Sequence, residues 1–253
     1  IAAFCDVDLN AVVPMKTADS LYDVHIKLEE AKVGEYIIHH FGLESRQSAG
    51  IEGWHWLSKQ IHKEKPKVKI ALVGKYIELQ DAYISVREAL EHACLHLGVE
   101  LDLSGVHSAD LERSRGWGLV QSAQGIVVPG GFGQRGIEGK IAAGRYAREH
   151  KVPYLGLCLG MQTMCIEFAR HINDTEDANS TEFDPNTAHP VISLMPDQQH
   201  ITDKGGTMRL GLYPCELQEG SISRRAYGVD RIDERHRHRR SEERRVGKEC
   251  RSR

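Results

Sequence analysis

From Val68 onward the chain alternates short apolar runs with amphipathic segments, and this alternation limits what it can fold into. VKIALVG (68–74), VELDL (99–103), GIVVPGG (125–131) and VPYLGL (152–157) read as strands, largely continuous apolar runs that need cover on both faces. AYISVREALEHACLHLG (82–98), IEGKIAAGRYAREHK (137–151) and LGMQTMCIEFARHI (159–172) have helical spacing. In the first of these, Ile84, Ala89, Leu90, Ala93, Cys94 and Leu97 form the inward stripe, and Gly98 is the stop. Strands alternating with helices predict an α/β domain with a mostly parallel sheet, whose ligand chemistry sits at the carboxyl ends of the strands. Beyond residue 172 the pattern loosens. ANSTEFDPNT (178–187) is turn-rich, and GGTMRLGLYPCEL (205–217) reads as one or two antiparallel strands.

Residues 1–62 form a separate stretch, with Val33, Ile37, Ile38 and Phe41 on one side of a helix. That length is marginal for an independent core, so it reads as the remnant of a larger domain. The charged, proline-containing KEKPK (63–67) marks the boundary. No apolar run approaches the roughly 18–20 residues that span a bilayer. The start, IAAFCDVDLN, has no basic segment of the signal-peptide kind. Six scattered cysteines without a C-x-x-C pair argue against a zinc site or a disulfide framework, and fit a reducing compartment. The net charge of −3 is uneven: Arg235 to Arg253 holds nine Lys/Arg and three Glu, a net of +6. A basic tail can bind nucleic acid; a solvated or foreign tail is the other reading, and the one expected.

The stretch PYLGLCLGMQ (153–162) carries the chemistry. Gly156-Leu157-Cys158-Leu159-Gly160 has the G-x-nucleophile-x-G form between a buried strand and a helix. Such an elbow strains the nucleophile's backbone and needs small neighbours. A thiol there meets the orphan N–H groups and dipole of a helix N-terminus, which favour thiolate. The Leu159 N–H would face an oxyanion formed on attack. The competing reading is a buried structural cysteine; the flanking glycines turn the balance towards a nucleophile. Cys165, inside the helix, reads as core. A second glycine cluster, PGGFGQRG (129–136), follows a parallel strand at the same sheet end, and Gly131 is the best second oxyanion donor. No G-K-[ST] follows it, so it is not a nucleotide P-loop.

GKYIELQDAY, VPGGFGQRGIEGK, PYLGLCLGMQ, ANSTEFDPNT, GGTMRLG and ERHRHR, in this order, resemble the class I glutamine amidotransferase domain of the CTP synthase family, from about residue 68 to Arg239. IAAFCDVDLN through DSLY resembles the end of that family's ATP-dependent synthetase domain. The resemblance implies a flavodoxin-like class I amidotransferase fold preceded by a remnant of a Rossmann-like synthetase domain. The expected divisions are 1–62, the synthetase remnant and linker; 63–240, the amidotransferase domain; and 241–253, a basic tail without counterpart in the family. It implies glutamine hydrolysis through a thioester on Cys158, with ammonia passed on to convert UTP to CTP. Gly131 and Leu159 would form the oxyanion hole, and Gln162, Glu182 and Arg239 would join them in binding glutamine. A carboxylate for the α-ammonium and an arginine for the α-carboxylate make electrostatic sense. ATP and Mg²⁺ would serve the full-length enzyme and not this portion, which would bind L-glutamine and no cofactor. A cytoplasmic homo-oligomer, tetrameric in the family, is expected, without nucleic-acid or membrane partners.

The departures from the family matter too. Its catalytic His and Glu stand two residues apart near its C-terminus, and none of the fourteen histidines here lies in an H-P-E setting. His236 and His238 belong to the RHRHR motif, not to a triad. The expectation is therefore a chain truncated at both ends, with little activity alone. A catalytically dead glutamine-binding module and another triad amidotransferase are the alternatives; GGTMRLG and RHRHR speak against the second.

Overall fold

A computed structural model of the chain describes residues 1–44, 50–131, 133–194, 209–238 and 240–242. By contacts the chain divides into two compact units, one of residues 1–68 and 87–101, the other of 69–86 and 102–253. Ten helices are described: α1 (Ala2–Cys5), α2 (Asp23–Glu30), α3 (Val33–His40), α4 (Ile51–Ile61), α5 (Ile84–His96), α6 (Ser108–Leu111), α7 (Trp117–Gln121), α8 (Ile137–His150), α9 (Leu159–Asn173) and α10 (Ile222–Tyr227). The described strands are β1 (Lys67–Gly74), β2 (Glu100–His107), β3 (Gly125–Val128), β4 (Tyr154–Gly156), β5 (Ala178–Ser180), β6 (His189–Leu194), β7 (Arg209–Glu216), β8 (Arg231–His238) and β9 (Arg240–Glu242).

In the first unit, α2, α3 and α4 have no buried residue. Polar ties join α2 to α4 and the residue after it: Asp23 accepts from the Ser58 hydroxyl at 2.7 Å and lies 2.9 Å from the His62 imidazole. The Ser58 hydrogen bond, then the one to His62, holds the Asp23 carboxyl below its ordinary range. Phe41, expected on the packed side, is 68% exposed. The α5 stripe needs the same correction. Of its six expected inward positions only Cys94 is buried, and Ile84 and Leu97 are 51% and 73% exposed. Helical spacing shows which side of a helix is apolar; it does not supply the element that covers it.

The second unit carries the expected α/β architecture. Its main sheet has strand order β2-β1-β3-β4. β3 pairs in parallel with β1 (Ala71↔Ile126) and with β4 (Val128↔Gly156). All four β3 residues and the second half of β1 are buried, which accounts for their unbroken apolar sequence. Ala71, Val73, Ile126 and Val128 pack with Ala143 and Ala147 of α8. A second cluster joins Ile137 and Ile141 of α8 to Leu159 and Ile166 of α9 and Ile192 of β6. Two ion pairs clamp α8 to α9. Arg148 holds the buried Glu167 carboxylate through contacts of 2.8 to 3.1 Å, and Arg170 holds Glu138 through contacts of 2.7 and 3.0 Å.

β7 is the one described strand within the expected 205–217 stretch, and it pairs antiparallel with β8, outside that stretch, from Arg209↔His238 to Glu216↔Arg231. β6 pairs in parallel with β5 and antiparallel with β9. Ser193↔Ser241 and Ile192↔Glu242 pair across the position where a foreign tail was expected to begin, so the first residues of that segment belong to a sheet. Pairing there uses backbone groups, which a non-apolar sequence still supplies. Residues 243–253, the rest of the expected tail, lie outside the described residues.

Candidate active site

β4 ends at Gly156, and α9 begins at Leu159 with Cys158 as its N-cap. Cys158 adopts φ 53° and ψ −107°, a conformation that strains any residue with a Cβ. The reason lies in the two flanking glycines. A Cβ on Gly156 would come within 2.5 Å of the Gly160 carbonyl carbon and the Met161 nitrogen. A Cβ on Gly160 would overlap the Val128 carbonyl of β3. The elbow is thus pressed backbone to backbone on the adjoining strand, and only glycine fits at either side. The Leu157 N–H donates to Val128 O at 2.9 Å, the Gln162 N–H donates to Cys158 O at 3.1 Å, and the Tyr154 hydroxyl donates to Gly160 O at 2.8 Å. Cys158 therefore stands at the carboxyl end of a parallel sheet, on a strand-to-helix turn, as its sequence suggests.

The thiol is reachable by solvent yet ringed by protein. Partial burial pushes its pKa up, and the negative charge of Glu182 adds to this. The Leu159 N–H and the Lys140 ammonium pull it down. Gly130 lies closest of the glycine loop: a Cβ there would sit 3.3 Å from Cys158 Cβ and 3.9 Å from its Sγ. A Cβ on Gly131 would sit 3.6 Å from Lys140 Nζ and 3.8 Å from Leu159 Cδ2. The bare backbone of both residues thus faces the elbow.

Of the other expected site residues, Gln162 is buried one turn into α9, and Leu159 is buried at its first position. Glu182 follows β5 in a turn whose backbone is tied by its own N–H to Ser180 Oγ at 3.2 Å. It is near enough to act on the Cys158 charge. Arg239 lies outside the described residues. Cys165 is half-buried, with its sulfur 3.6 Å from Met161 Sδ. None of the described cysteines is in a disulfide.

Lys140 went unnoticed in the sequence. In the first turn of α8 it reads as a solvated lysine, yet it is 2% exposed. Burial, then the neighbouring Lys75, lowers its pKa from 10.5 to about 8, against the opposing pull of Cys158. Among the described residues no cluster of three His, Cys, Asp or Glu could hold a metal ion, and no helix is long and apolar enough to cross a membrane.

An α/β domain with a thiol on a glycine-flanked elbow at the sheet's carboxyl edge, facing a glycine loop, defines a class of candidate acyl-transfer sites. Within that class the chain belongs to the class-I glutamine amidotransferase family, whose model matches residues 78–250. It is 56% identical over 239 residues to a CTP synthase of Chloroflexus aurantiacus, covering 94% of this chain and 44% of the relative. It is 58% identical over 240 residues to a CTP synthase of Roseiflexus castenholzii, covering 94% and 43%. The chain thus spans less than half the length of these curated relatives. Among solved structures it is similar to the Trypanosoma brucei CTPS glutaminase domain with bound acivicin. That match has TM-score 0.59 and 38% identity, and covers 68% of this chain and 67% of the other.

Proposed function

We propose that this chain is the glutamine-hydrolysing part of a CTP synthase and that Cys158 is its nucleophile. The observation that carries this is the strained Cys158 backbone at the start of α9, which only the Gly156 and Gly160 contacts permit. The thiolate attacks the side-chain amide carbon of L-glutamine. The oxyanion then accepts hydrogen bonds from the Leu159 and Gly131 N–H groups. The C–N bond breaks as the amide nitrogen takes a proton from water and leaves as ammonia, and hydrolysis of the glutamyl thioester then gives glutamate and returns the thiol. Gln162, Glu182 and Arg239 hold the substrate, Glu182 by its α-ammonium and Arg239 by its α-carboxylate.

In the whole protein the ammonia is used in an ATP- and Mg²⁺-dependent amination of UTP, carried by a synthetase domain of which residues 1–62 are the end. Glutamine hydrolysis itself consumes only water. Among the described residues, the groups acting on the Cys158 charge are Leu159, Lys140 and Glu182. Where deacylation is the slow step, the acyl-enzyme accumulates and can be caught. Incubation with glutamine followed by mass spectrometry is expected to show a glutamyl adduct on Cys158, absent from Cys158→Ala. Ammonia release should be equally Cys158-dependent. Acivicin, the ligand named in the trypanosomal structure, should protect Cys158 from alkylation. A chain that neither acylates at Cys158 nor is protected would overturn the reading.

A further inference from the structure

Lys140 is a described residue whose placement the reaction above does not use and whose physical cost is plain. An ammonium group that is 2% exposed has lost nearly all its hydration. A carboxylate normally accompanies such a group. Here the charged groups acting on it are Lys75, at the end of β1, which repels it, and the Cys158 thiol, which attracts it when ionised. No carboxylate among the described residues makes an ion pair with it. Its Nζ lies beneath Gly131, and Cys158 lies beside Gly130, so the two functional groups flank consecutive residues of one glycine loop.

We propose that Lys140 is the charge partner of Cys158, a positioning residue that favours the thiolate from behind the glycine loop. This rests on Cys158 being the nucleophile, yet it concerns the thiol and not glutamine turnover. The pair shares one proton in two forms, thiol with neutral amine and thiolate with ammonium. Passing between them moves the proton from Sγ to Nζ and leaves the pair's net charge unchanged. Three influences face Cys158: the Lys140 ammonium from α8, the Leu159 N–H from its own helix, and the Glu182 carboxylate from the turn after β5. Glu182 opposes the other two. An ammonium buried beside the Gly131 backbone acts on the thiol while shielded from water, where its influence would be screened.

The test is alkylation of Cys158 in the whole chain, followed by peptide mass spectrometry so that the other thiols are resolved. With iodoacetamide, Lys140→Met should shift the rate–pH profile of Cys158 upward by about one unit, or roughly tenfold slower alkylation near neutral pH. Lys140→Arg, which keeps the charge, should shift it much less. An unmoved profile in a folded Lys140→Met chain overturns the proposal. Should that variant fail to fold, the wild type still decides. Iodoacetate and iodoacetamide both need the thiolate, so their rate ratio cancels its population and reports local charge. The ratio should fall severalfold as pH passes through about 8, where Lys140 loses its proton. A flat ratio from pH 7 to 10 would show that Lys140 does not face the thiol. Chains that release no ammonia remain usable, so a failed glutaminase assay and a failed charge test are distinguishable.

Discussion

The Tyr154 hydroxyl reaches across the elbow to donate to the Gly160 carbonyl at 2.8 Å, and Thr163 Oγ1 donates to the same oxygen at 3.0 Å. The Tyr154 bond thereby ties the last strand before the nucleophile to the first turn after it, and the Thr163 bond, inside α9, braces the same carbonyl. Burial pushes the Tyr154 phenol far above its ordinary pKa, so the hydroxyl stays a donor at any working pH. Tyr154→Phe should cost about 1 kcal/mol, because Thr163 still satisfies the carbonyl. Thr163→Val alone should cost a similar amount. The double variant removes both side-chain donors while the carbonyl keeps the main-chain N–H of its own helix, so its loss in urea unfolding should be close to the sum of the two.

Gly160→Ala should be severely destabilising, by about 3 kcal/mol or more, because the new Cβ overlaps backbone that has no rotamer to yield. Chemical denaturation measures the loss. Gly34→Ala is the control: a Cβ there meets nothing within 4 Å, and no loss is expected.

Cys158→Gly should abolish glutamyl adduct formation and at the same time raise stability by roughly 1 kcal/mol, since glycine adopts φ 53° without the strain a Cβ brings. Cys158→Ala should abolish the chemistry without that gain. A comparison of melting midpoints of the two variants separates backbone strain from loss of the thiol.

Lys140 gives a pH signature. Its pKa falls from 10.5 in the unfolded chain to about 8 when folded, so between these values the unfolded chain binds more protons and stability rises with pH. Below pH 8 the folded chain carries the full cost of the buried charge. Lys140→Met should therefore be more stable than wild type at pH 7, by up to about 3 kcal/mol. The advantage should shrink as pH rises towards 10.5. Urea titrations at pH 7 and 10 measure both.

Arg148→Met should cost about 3 kcal/mol in the same assay, because it leaves the Glu167 carboxylate, 1% exposed, in the interior without its bidentate partner. Replacing both members, as Arg148→Met with Glu167→Leu, should recover much of that loss.

The elements around the elbow were readable because each is written in a local period: unbroken apolar runs for β3 and β4, helical spacing for α8 and α9. The glycines flanking Cys158 could be recognised as a turn, but their particular neighbours could not. That Gly160 meets Val128 is a fact about strand adjacency, more than thirty positions away in the chain and outside any local window. Lys140 was hidden for a similar reason. A lysine in a first helical turn looks solvated until the loop leading into the helix folds back over it. The α5 stripe failed in the opposite sense, since periodicity was present and cover was not. Residues 240–242 joined a sheet through main-chain pairing, to which side-chain patterning is blind.

The contact of Gly160 with Val128 has one more consequence. At Gly160 no side chain of the nucleophile's helix stands between it and the Val128 carbonyl, so near the elbow the height of the thiol above the sheet is set by main-chain contact. Core residues farther along α8 and α9 can be exchanged for others of different bulk, tilting the distal ends of those helices, while the near end pivots on a bearing that has no adjustable part. A sequence built this way can drift widely in its interior and still present sulfur at the same place.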